Sequence, residues 1–349
     1  MKKFNVAVVG ASGAVGREVL ATLAQRSFPF STLRLFSSHR SAGQKTKVGS
    51  LAATFEVLGD NESFKGLDIV FFTSGSTVSE QHAFRAAASG ALVIDNASIF
   101  RMRPDVPLVV PEVNGAALDS ARDTRVVANP NCTTAQMVMA LKPLHDRFRV
   151  KRVVLASYQA VSGKGQKGID EFKRQIREHV DGRPLTTEAF PHPIAFNCLP
   201  HIDTFRADGF TGEEHKVMEE TRKILGDPSI RVVATCVRVP VLNCHSESVT
   251  IETEKPVTVE QAREALSAMP GVKVFDDPAT NTYPLALDVS GKDDVYVGRI
   301  RKDPSLAEGQ YGLTFWVVGD NLRKGAALNA VQIAEAAIAR GLIQNQAPR

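Results

Sequence analysis

No apolar run in the 349 residues approaches the roughly 18 that a membrane span requires, so a spanning helix is excluded. Met1-Lys2-Lys3 passes straight into a short strand-like run without the apolar core of a secretory signal, and a cytoplasmic protein is expected. Cysteine is scarce. Cys132, Cys198, Cys236 and Cys244 form no C-x-x-C pair and no repeated spacing, which argues against zinc and against a disulfide framework. Free thiols and no metal are expected. Nor is one sign of charge in excess: the formal net charge is +4, and Lys and Arg are scattered rather than massed. That pattern points away from nucleic acid and membranes and toward small anionic molecules as partners. Internal repeats and low-complexity segments are also missing. What is present is ordinary for a globular enzyme, 43% hydrophobic and 23% charged residues, with a length that suits two domains.

Strand-like Phe4 to Val9 runs into Gly10-Ala11-Ser12-Gly13-Ala14-Val15-Gly16, followed by helical Glu18 to Leu23. In that context the glycines make a dinucleotide turn: Gly10 for the tight bend, Gly13 for close approach of backbone to a pyrophosphate, Gly16 for helix-on-strand packing. The next strand, Leu33 to Phe36, ends without the carboxylate that would take the ribose 2′-hydroxyl of NAD. Ser37-Ser38-His39-Arg40-Ser41 follow instead, hydroxyls and a guanidinium suited to a 2′-phosphate, so NADP is the expected cofactor. A polar surface loop is the alternative. Alternation continues through Asp68 to Phe72, a helix over Val78 to Ala88, and Ala91 to Ile94, a doubly wound parallel sheet of the Rossmann-like type. Ligands of such sheets lie beyond the carboxyl ends of the strands, where Ser74, Gly75, Asn96 and Arg101 fall.

The strand-like Val126 to Ala128 ends in Asn129-Pro130-Asn131-Cys132-Thr133-Thr134, and helical spacing resumes from Ala135 to Leu141, with Pro143 expected to end the helix. A thiol at a helix start loses its proton more readily than usual, so Cys132 is either a nucleophile or one more small buried residue. Beyond it the pattern changes to a second, α+β domain. A long strand, Val153 to Val161, leads into Ser162-Gly163-Lys164, with a helix over Ile169 to Glu178. Glu213 and Lys216 share one face of a charged helix, Gly212 to Lys223, as a ligand grip or as a solvated surface. Arg238 lies within an apolar strand, where burial of its charge needs a partner anion. His245 opens the next strand, Val295 to Ile300 and Tyr311 to Val317 complete an antiparallel or mixed sheet, and a helix from Leu322 to Ala339 is expected to return to the first domain. The expected domains are therefore 1–130 with 320–349, and 131–319. A nucleotide fold with a cysteine and a histidine suits acyl-carbon redox chemistry.

The Gly-x-x-Gly-x-x-Gly turn, Asn-Pro-Asn-Cys-Thr-Thr, Ser157-Tyr158-Gln159-Ala160-Val161-Ser162-Gly163, Glu213 with Lys216, and Arg238-Val239-Pro240-Val241 followed by His245-Ser246 occur in this order. Together they make the chain resemble the aspartate-semialdehyde dehydrogenases over essentially its full length. The resemblance implies NADPH-dependent conversion of L-4-aspartyl phosphate to aspartate semialdehyde and phosphate, on the route to lysine, threonine and methionine. It implies Cys132 as the acyl-forming nucleophile, His245 as acid/base catalyst and Gln159 orienting the thioacyl group. Arg238 and Glu213 would bind the substrate carboxylate and amino group, and Arg101, Asn131 and Lys216 the phosphate. NADP would meet Gly10, Ala11, Ser12, Gly13, Ala14, Val15, Ser38, Arg40, Ser41, Ser74, Gly75, Ser162, Gly163 and Asn321. The second domain would be catalytic and dimer-forming, giving a homodimer or homotetramer. Two other readings stand beside this one: an N-acetyl-glutamyl-phosphate reductase, whose substrate lacks the ammonium Glu213 would meet, and a noncatalytic binding homologue.

Overall fold

The computed structural model describes residues 2–59 and 61–343, with the side chains of 61 and 62 left aside. The chain divides into two compact units, Met1–Pro130 with Ala326–Arg349, and Asn131–Gly325. The return to the first unit thus falls at 326, six residues later than the expected 320, and the 344–349 part of that expectation lies outside the described residues.

In the first unit, β1 (Phe4–Val9), α1 (Ala14–Gln25), β2 (Phe30–Ser37), β3 (Lys45–Val48), β4 (Leu51–Val57), β5 (Ile69–Phe72), α2 (Ser76–Ala88), β6 (Leu92–Asp95), the short α3 (Pro111–Asn114) and α4 (Ala121–Thr124), and β7 (Val126–Ala128) follow in order. They build a seven-stranded sheet, order β3-β4-β2-β1-β5-β6-β7, parallel except where β3 and β4 form a hairpin. Strands β1, β5 and β6 read as near-continuous apolar runs because both faces are covered. The β3–β4 hairpin has no counterpart among the expected elements, since Lys45 to Val57 alternates only weakly. Order reverses at β1, between β2 and β5, the place where such sheets open a crevice.

The second unit opens with α5 (Cys132–Phe148), then β8 (Val150–Gln159), α6 (Gln166–Val180), α7 (Gly212–Leu225), β9 (Arg231–Arg238), β10 (His245–Thr253), α8 (Val259–Ser267), β11 (Val272–Val274), the short α9 (Ala286–Val289), β12 (Val295–Lys302) and β13 (Tyr311–Gly319). Its six strands run β11-β12-β13-β10-β8-β9, a mixed sheet with two parallel pairs, β8–β9 and β11–β12. Helices α5, α7 and α8 pack on this sheet. Helix α5 does not stop at Pro143. Pro143 sits inside it, where the missing N–H costs about 3 kcal/mol; Leu144, His145 and Phe148 beyond it are all buried, and burial of large apolar side chains at about 1.5–3 kcal/mol each offsets that loss. The expected strand to Val161 instead ends at Gln159, and Val161–Lys164 is a 3-10 turn. Helix α8 was legible in principle, because Thr258 and Gln261 form a capping box. The last segment starts as a π-helical turn, Arg323–Ala327, and continues as α10 (Leu328–Ala339), whose Val331, Ile333, Ala334 and Ala337 join the first unit's core with Val19, Leu23 and Val109.

Asp95 closes β6 inside the first unit and is fully buried; its Oδ1 accepts from Ala97 N–H at 2.7 Å and Ser79 Oγ at 3.0 Å. Burial raises its carboxyl to about 6, with those hydrogen bonds and Arg101 opposing. An unfolded Asp titrates near 3.9, so over the window between, the folded state binds more protons than the unfolded one. Stability contributed by protonated Asp95 is present at pH 4 and lost as pH rises to about 6. Asp95→Asn keeps the acceptor without the titration. Unfolding free energies from urea titrations at pH 4 and pH 7 are expected to improve for the variant relative to wild type by on the order of 3 kcal/mol between the two; parallel pH profiles would refute the assignment.

Candidate active site

The first unit offers a cleft of about 660 Å³ at the carboxyl ends of its central strands, lined by Gly10, Ser12, Gly13, Ser38 and Ser74 among the expected residues. Gly10 takes φ +85, a left-handed conformation that favours glycine, and its N–H and that of Ala11 both donate to Phe36 O. A Cβ on Gly16 would collide with Gly10 O and the Ala11 backbone, so the turn closes only around glycine. Ala14 and Val15 form the first turn of α1, which has no side-chain cap and no acidic residue, and α2 likewise starts uncapped at Gly75. Such helix starts present free amides to an anion. Ser74 Oγ and His82 Nδ1 are buried without a hydrogen-bond partner, and both residues line the cleft. Glycine turn, open helix start and orphaned polar atoms fit a nucleotide cofactor. No carboxylate ends β2. Ser38 and Arg40 are exposed, and Ser41 is half-buried in the turn after it. Thr73, His39, Gln81 and His82 also line the cleft and were not picked out from the sequence, because nothing in local spacing marks them. Arg101, beyond β6, is buried and donates from Nη2 to Asn96 O at 2.7 Å.

The second unit gathers the remaining candidates. Asn131 caps α5: its Oδ1 accepts from Thr133 N–H at 3.0 Å and Thr134 N–H at 3.1 Å. Its Nδ2 donates to Glu213 Oε1 at 2.8 Å and its backbone N–H to Glu220 Oε2 at 2.6 Å. Cys132 is therefore the first residue of a firmly capped helix, with its Sγ 3.2 Å from His245 Nε2. Ala160 N–H donates to the other ring nitrogen, Nδ1, at 3.1 Å. Burial, and then Arg238, hold the His245 imidazole well below the ordinary histidine range. One turn along α5, Gln136 Nε2 donates to His245 O at 3.2 Å and Glu247 Oε1 at 2.7 Å, joining the helix to β10. Burial pushes the Glu247 carboxyl well above the usual carboxylate range, with the Gln136 hydrogen bond opposing. Gln136 went unnoticed in the sequence, although a polar residue at i+4 from Cys132 in an apolar helix is a visible signal.

Glu213 does not face solvent. It is buried, and accepts from Gln159 Nε2 at 3.0 Å as well as from Asn131, with Lys216 Nζ 3.3 Å from its Oε2. Burial alone would raise its carboxyl; Lys216, Asn131, Gln159 and Arg238 outweigh that and hold it below the usual range. Ser157 Oγ donates to Gln159 Oε1 at 2.9 Å, fixing the amide. Arg238, directly across from Gln159 in the β8–β9 register, is buried and donates to Ala160 O at 2.7 Å. Lys216 is also gripped by Asp203 at 2.6 Å, a residue in an irregular segment that carried no sequence signal. Ser162 and Asn321 bond each other, and Asn321 Oδ1 accepts from Cys244 N–H at 3.0 Å, pinning the left-handed Cys244 (φ 72) just before His245. Among the described residues no group of three or more His, Cys, Asp or Glu could hold a metal, and none of the four cysteines is in a disulfide.

A doubly wound nucleotide-type unit followed by a mixed-sheet unit with a half-buried cysteine beside a buried histidine defines the semialdehyde dehydrogenase class. Family models for its two parts, "Semialdehyde dehydrogenase, NAD binding domain" and "Semialdehyde dehydrogenase, dimerisation domain", match residues 5–121 and 141–324. The chain belongs to the aspartate-semialdehyde dehydrogenase family. It is similar to that enzyme of Aquifex aeolicus, 50% identical over 97% of this chain and 99% of the relative, and to that of Bacillus subtilis, 46% identical over 95% and 96%. Among solved structures it resembles aspartate semialdehyde dehydrogenase II of Vibrio cholerae complexed with ASA, with a TM-score of 0.93 and 43% identity over 97% of this chain and 99% of that one. The Candida albicans enzyme with NADP aligns at a TM-score of 0.76 and 25% identity, covering 98% and 100%.

A Cβ on Gly163 would stand 2.7 Å from Arg238 Nη1 and 3.2 Å from His245 Cε1. Gly163→Ala is therefore expected to displace both side chains, and misplacement of about 1 Å in a reacting group costs roughly 100-fold in rate. Steady-state kinetics would check this; turnover within twofold of wild type would show that the two side chains do not need their present places.

Proposed function

We propose that the chain catalyses the phosphate-releasing reduction of L-4-aspartyl phosphate to L-aspartate 4-semialdehyde, on the route to lysine, threonine and methionine, with NADP(H) as cofactor and Cys132 as nucleophile. The observation that carries this reading is the 3.2 Å Cys132–His245 contact beside the buried Arg238 and Glu213. The relatives are named for aspartate semialdehyde, and the Vibrio cholerae structure is titled as holding ASA. The cofactor, when bound, supplies the hydride. The chain's own residues do the rest. Cys132 attacks the acyl carbon and carries the acyl group as a thioester, with Gln159 against it. Arg238 takes the substrate carboxylate, Glu213 its ammonium, and Arg101, Asn131 and Lys216 serve phosphate. An ionised carboxylate at Glu213 favours a free amino group over an acetylated one, which supports aspartyl over N-acetylglutamyl phosphate.

For the cofactor, the support is the Ser38, Arg40 and Ser41 turn at the end of a β2 that lacks a terminal carboxylate. Gly10 to Val15 and the α1 start take the pyrophosphate, with Ser74 and Gly75 beside them; Ser162, Gly163 and Asn321 serve the nicotinamide end. A homodimer or homotetramer is proposed in the cytoplasm, formed with the open face of the second sheet. There Tyr158 and Leu285 are exposed and, with Trp316 and Arg299, line a hollow of about 450 Å³.

Aspartate semialdehyde with phosphate and NADP is expected to give NADPH, and N-acetylglutamate semialdehyde is expected to give none; the reverse preference would replace this reading with the rival reductase. Cys132→Ala should abolish turnover while calorimetry still detects NADP binding, and surviving turnover would remove Cys132 as nucleophile. Arg40→Ala should weaken NADP by about 10-fold or more while leaving NAD unchanged, as loss of one charge-assisted hydrogen bond of about 1.5–3 kcal/mol predicts.

A further inference from the structure

We propose that Gln175, on the buried face of α6, is a positioning residue for the substrate-binding cations Arg238 and Lys216, acting through the connection between α6 and α7. The inference rests on the roles given to those two cations above. That connection, Asp181 to Thr211, is irregular backbone. Loops beyond about 12–15 residues are uncommon in compact domains and usually serve a function. This one is clamped to α6 by a row of buried acceptors. Gln175 is fully buried, and its Oε1 accepts from Ile194 N–H and Ala195 N–H, both at 2.9 Å. Its Nε2 donates to Thr186 O at 2.8 Å and to Glu171 Oε1 at 3.1 Å. A turn to either side on the same face, Glu171 Oε2 accepts from Glu188 N–H at 2.7 Å and from Ala189 N–H, and Glu178 accepts from the Thr186 N–H at 2.9 Å and hydroxyl at 2.7 Å.

Past Ala195 the connection reaches the edge of the second sheet, where β9 is the last strand. There Leu199 N–H donates to Arg238 O at 2.9 Å and Arg238 N–H to Leu199 O at 2.8 Å, so this segment meets both outward backbone groups of Arg238 in place of water. The side chain of Arg238 leans on it as well. Nη1 donates to Ala160 O at 2.7 Å, and beside Ala160 the fully buried Val161 packs with Phe190, Ile194 and Leu199. Further on, Asp203 takes Lys216 Nζ at 2.6 Å. A Cβ on Gly212 would stand 2.8 Å from Asp203 Oδ2, so the start of α7 leaves room for that carboxylate.

The backbone around Leu199 is strained, as a held segment is and a loose one is not. Phe196 and Asp203, on either side of it, take left-handed conformations at φ 62 and φ 70. Such residues persist only where the surroundings over-determine them, and for a bulky side chain like that of Phe196 the conformation is a rare one. Removal of the Gln175 carbonyl leaves two buried amides unpaired at the point where Ile194 packs on Val161. Both supports of Arg238 then slacken together. On the inner side of β9 the sheet is untouched, since Val239 N–H still donates to Gln159 O at 3.0 Å. The loss therefore falls on substrate binding and leaves the rest of the site in place.

Gln175→Met keeps the length of the side chain and removes its acceptor and donors. In the intact protein it is expected to raise the KM for aspartate semialdehyde and for phosphate by about 10-fold each while kcat falls by less than about 3-fold, the pattern of lost binding and not of lost chemistry. Calorimetric NADP affinity is expected to stay at the wild-type value. Amide hydrogen exchange read by mass spectrometry should quicken in peptides covering 194–199 and 234–240, with β10 and β13 as in the wild type. A fall in melting temperature with both KM values unchanged would overturn the proposal, as would faster exchange at 194 and 195 that stops short of Leu199 and Arg238. Glu171→Gln keeps an acceptor oxygen and is the milder variant should Gln175→Met fail to fold; weaker, uncharged hydrogen bonds there are expected to raise the same two KM values by about 3-fold, and wild-type values would overturn the proposal equally. Absence of phosphate-dependent turnover in the wild type would instead remove the function proposed above, and the exchange pattern would still decide whether α6 governs the edge that carries Arg238.

Discussion

The contact between Cys132 Sγ and His245 Nε2 ties the start of α5 to the start of β10, and the second unit is built to hold those two ends together. Each end is fixed by more than one partner. Asn131 caps the helix and anchors it to α7 through Glu213 and Glu220, so the start of α5 cannot rotate without breaking those two hydrogen bonds. On the strand side, Asn321 holds the left-handed Cys244, Ala160 N–H sets the imidazole ring, and Gln136 bridges from α5 to the His245 carbonyl. A left-handed non-glycine residue costs of order 1–3 kcal/mol and persists only where its surroundings over-determine it. Here they do.

Beside this pair lies a buried group of charges that would be unfavourable singly. Burial of an isolated ion costs several kcal/mol, and removal of one partner leaves the other uncompensated. Glu213 answers to Lys216, Asn131 and Gln159, Lys216 also answers to Asp203, and Arg238 donates to a backbone carbonyl while lying in the field of Glu213. Arg238 thus keeps its charge with hydrogen-bonding capacity in hand, the condition for recognising an anionic group.

Much of this was legible in the chain. The glycine turn after β1 and the cysteine after β7 could be placed because apolar strands and helical spacing flank them, so position along the fold followed from local pattern. The roles of Glu213 and Lys216 were left open because i, i+3 spacing fixes a shared face but not whether that face is buried; the capping box of Thr211 and Glu214, and the hydrogen bonds from Asn131 and Gln159, turn it inward. Asp203, Ala160 N–H and Gln136 lie outside that reach for different reasons. Asp203 belongs to an irregular segment with no periodicity, and a backbone amide has no letter of its own. Gln136 looks like a tolerated polar residue until β10 is laid beside it. Pro143 misled in the opposite direction, since a local rule predicted a helix end that burial of Leu144, His145 and Phe148 overrides.

Four residues of one type also separate by environment alone. Burial raises the Cys236 thiol, and the nearby Glu213 raises it further; burial and Asp320 do the same to Cys244. Both sit in strands or tight loops where carboxylates or low dielectric oppose a negative sulfur. Cys132 differs by position: it is half-buried, it begins a helix capped by Asn131, and its neighbours are the His245 imidazole and the Arg238 guanidinium. Cys132 is the cysteine where a helix start, an imidazole and a buried cation converge.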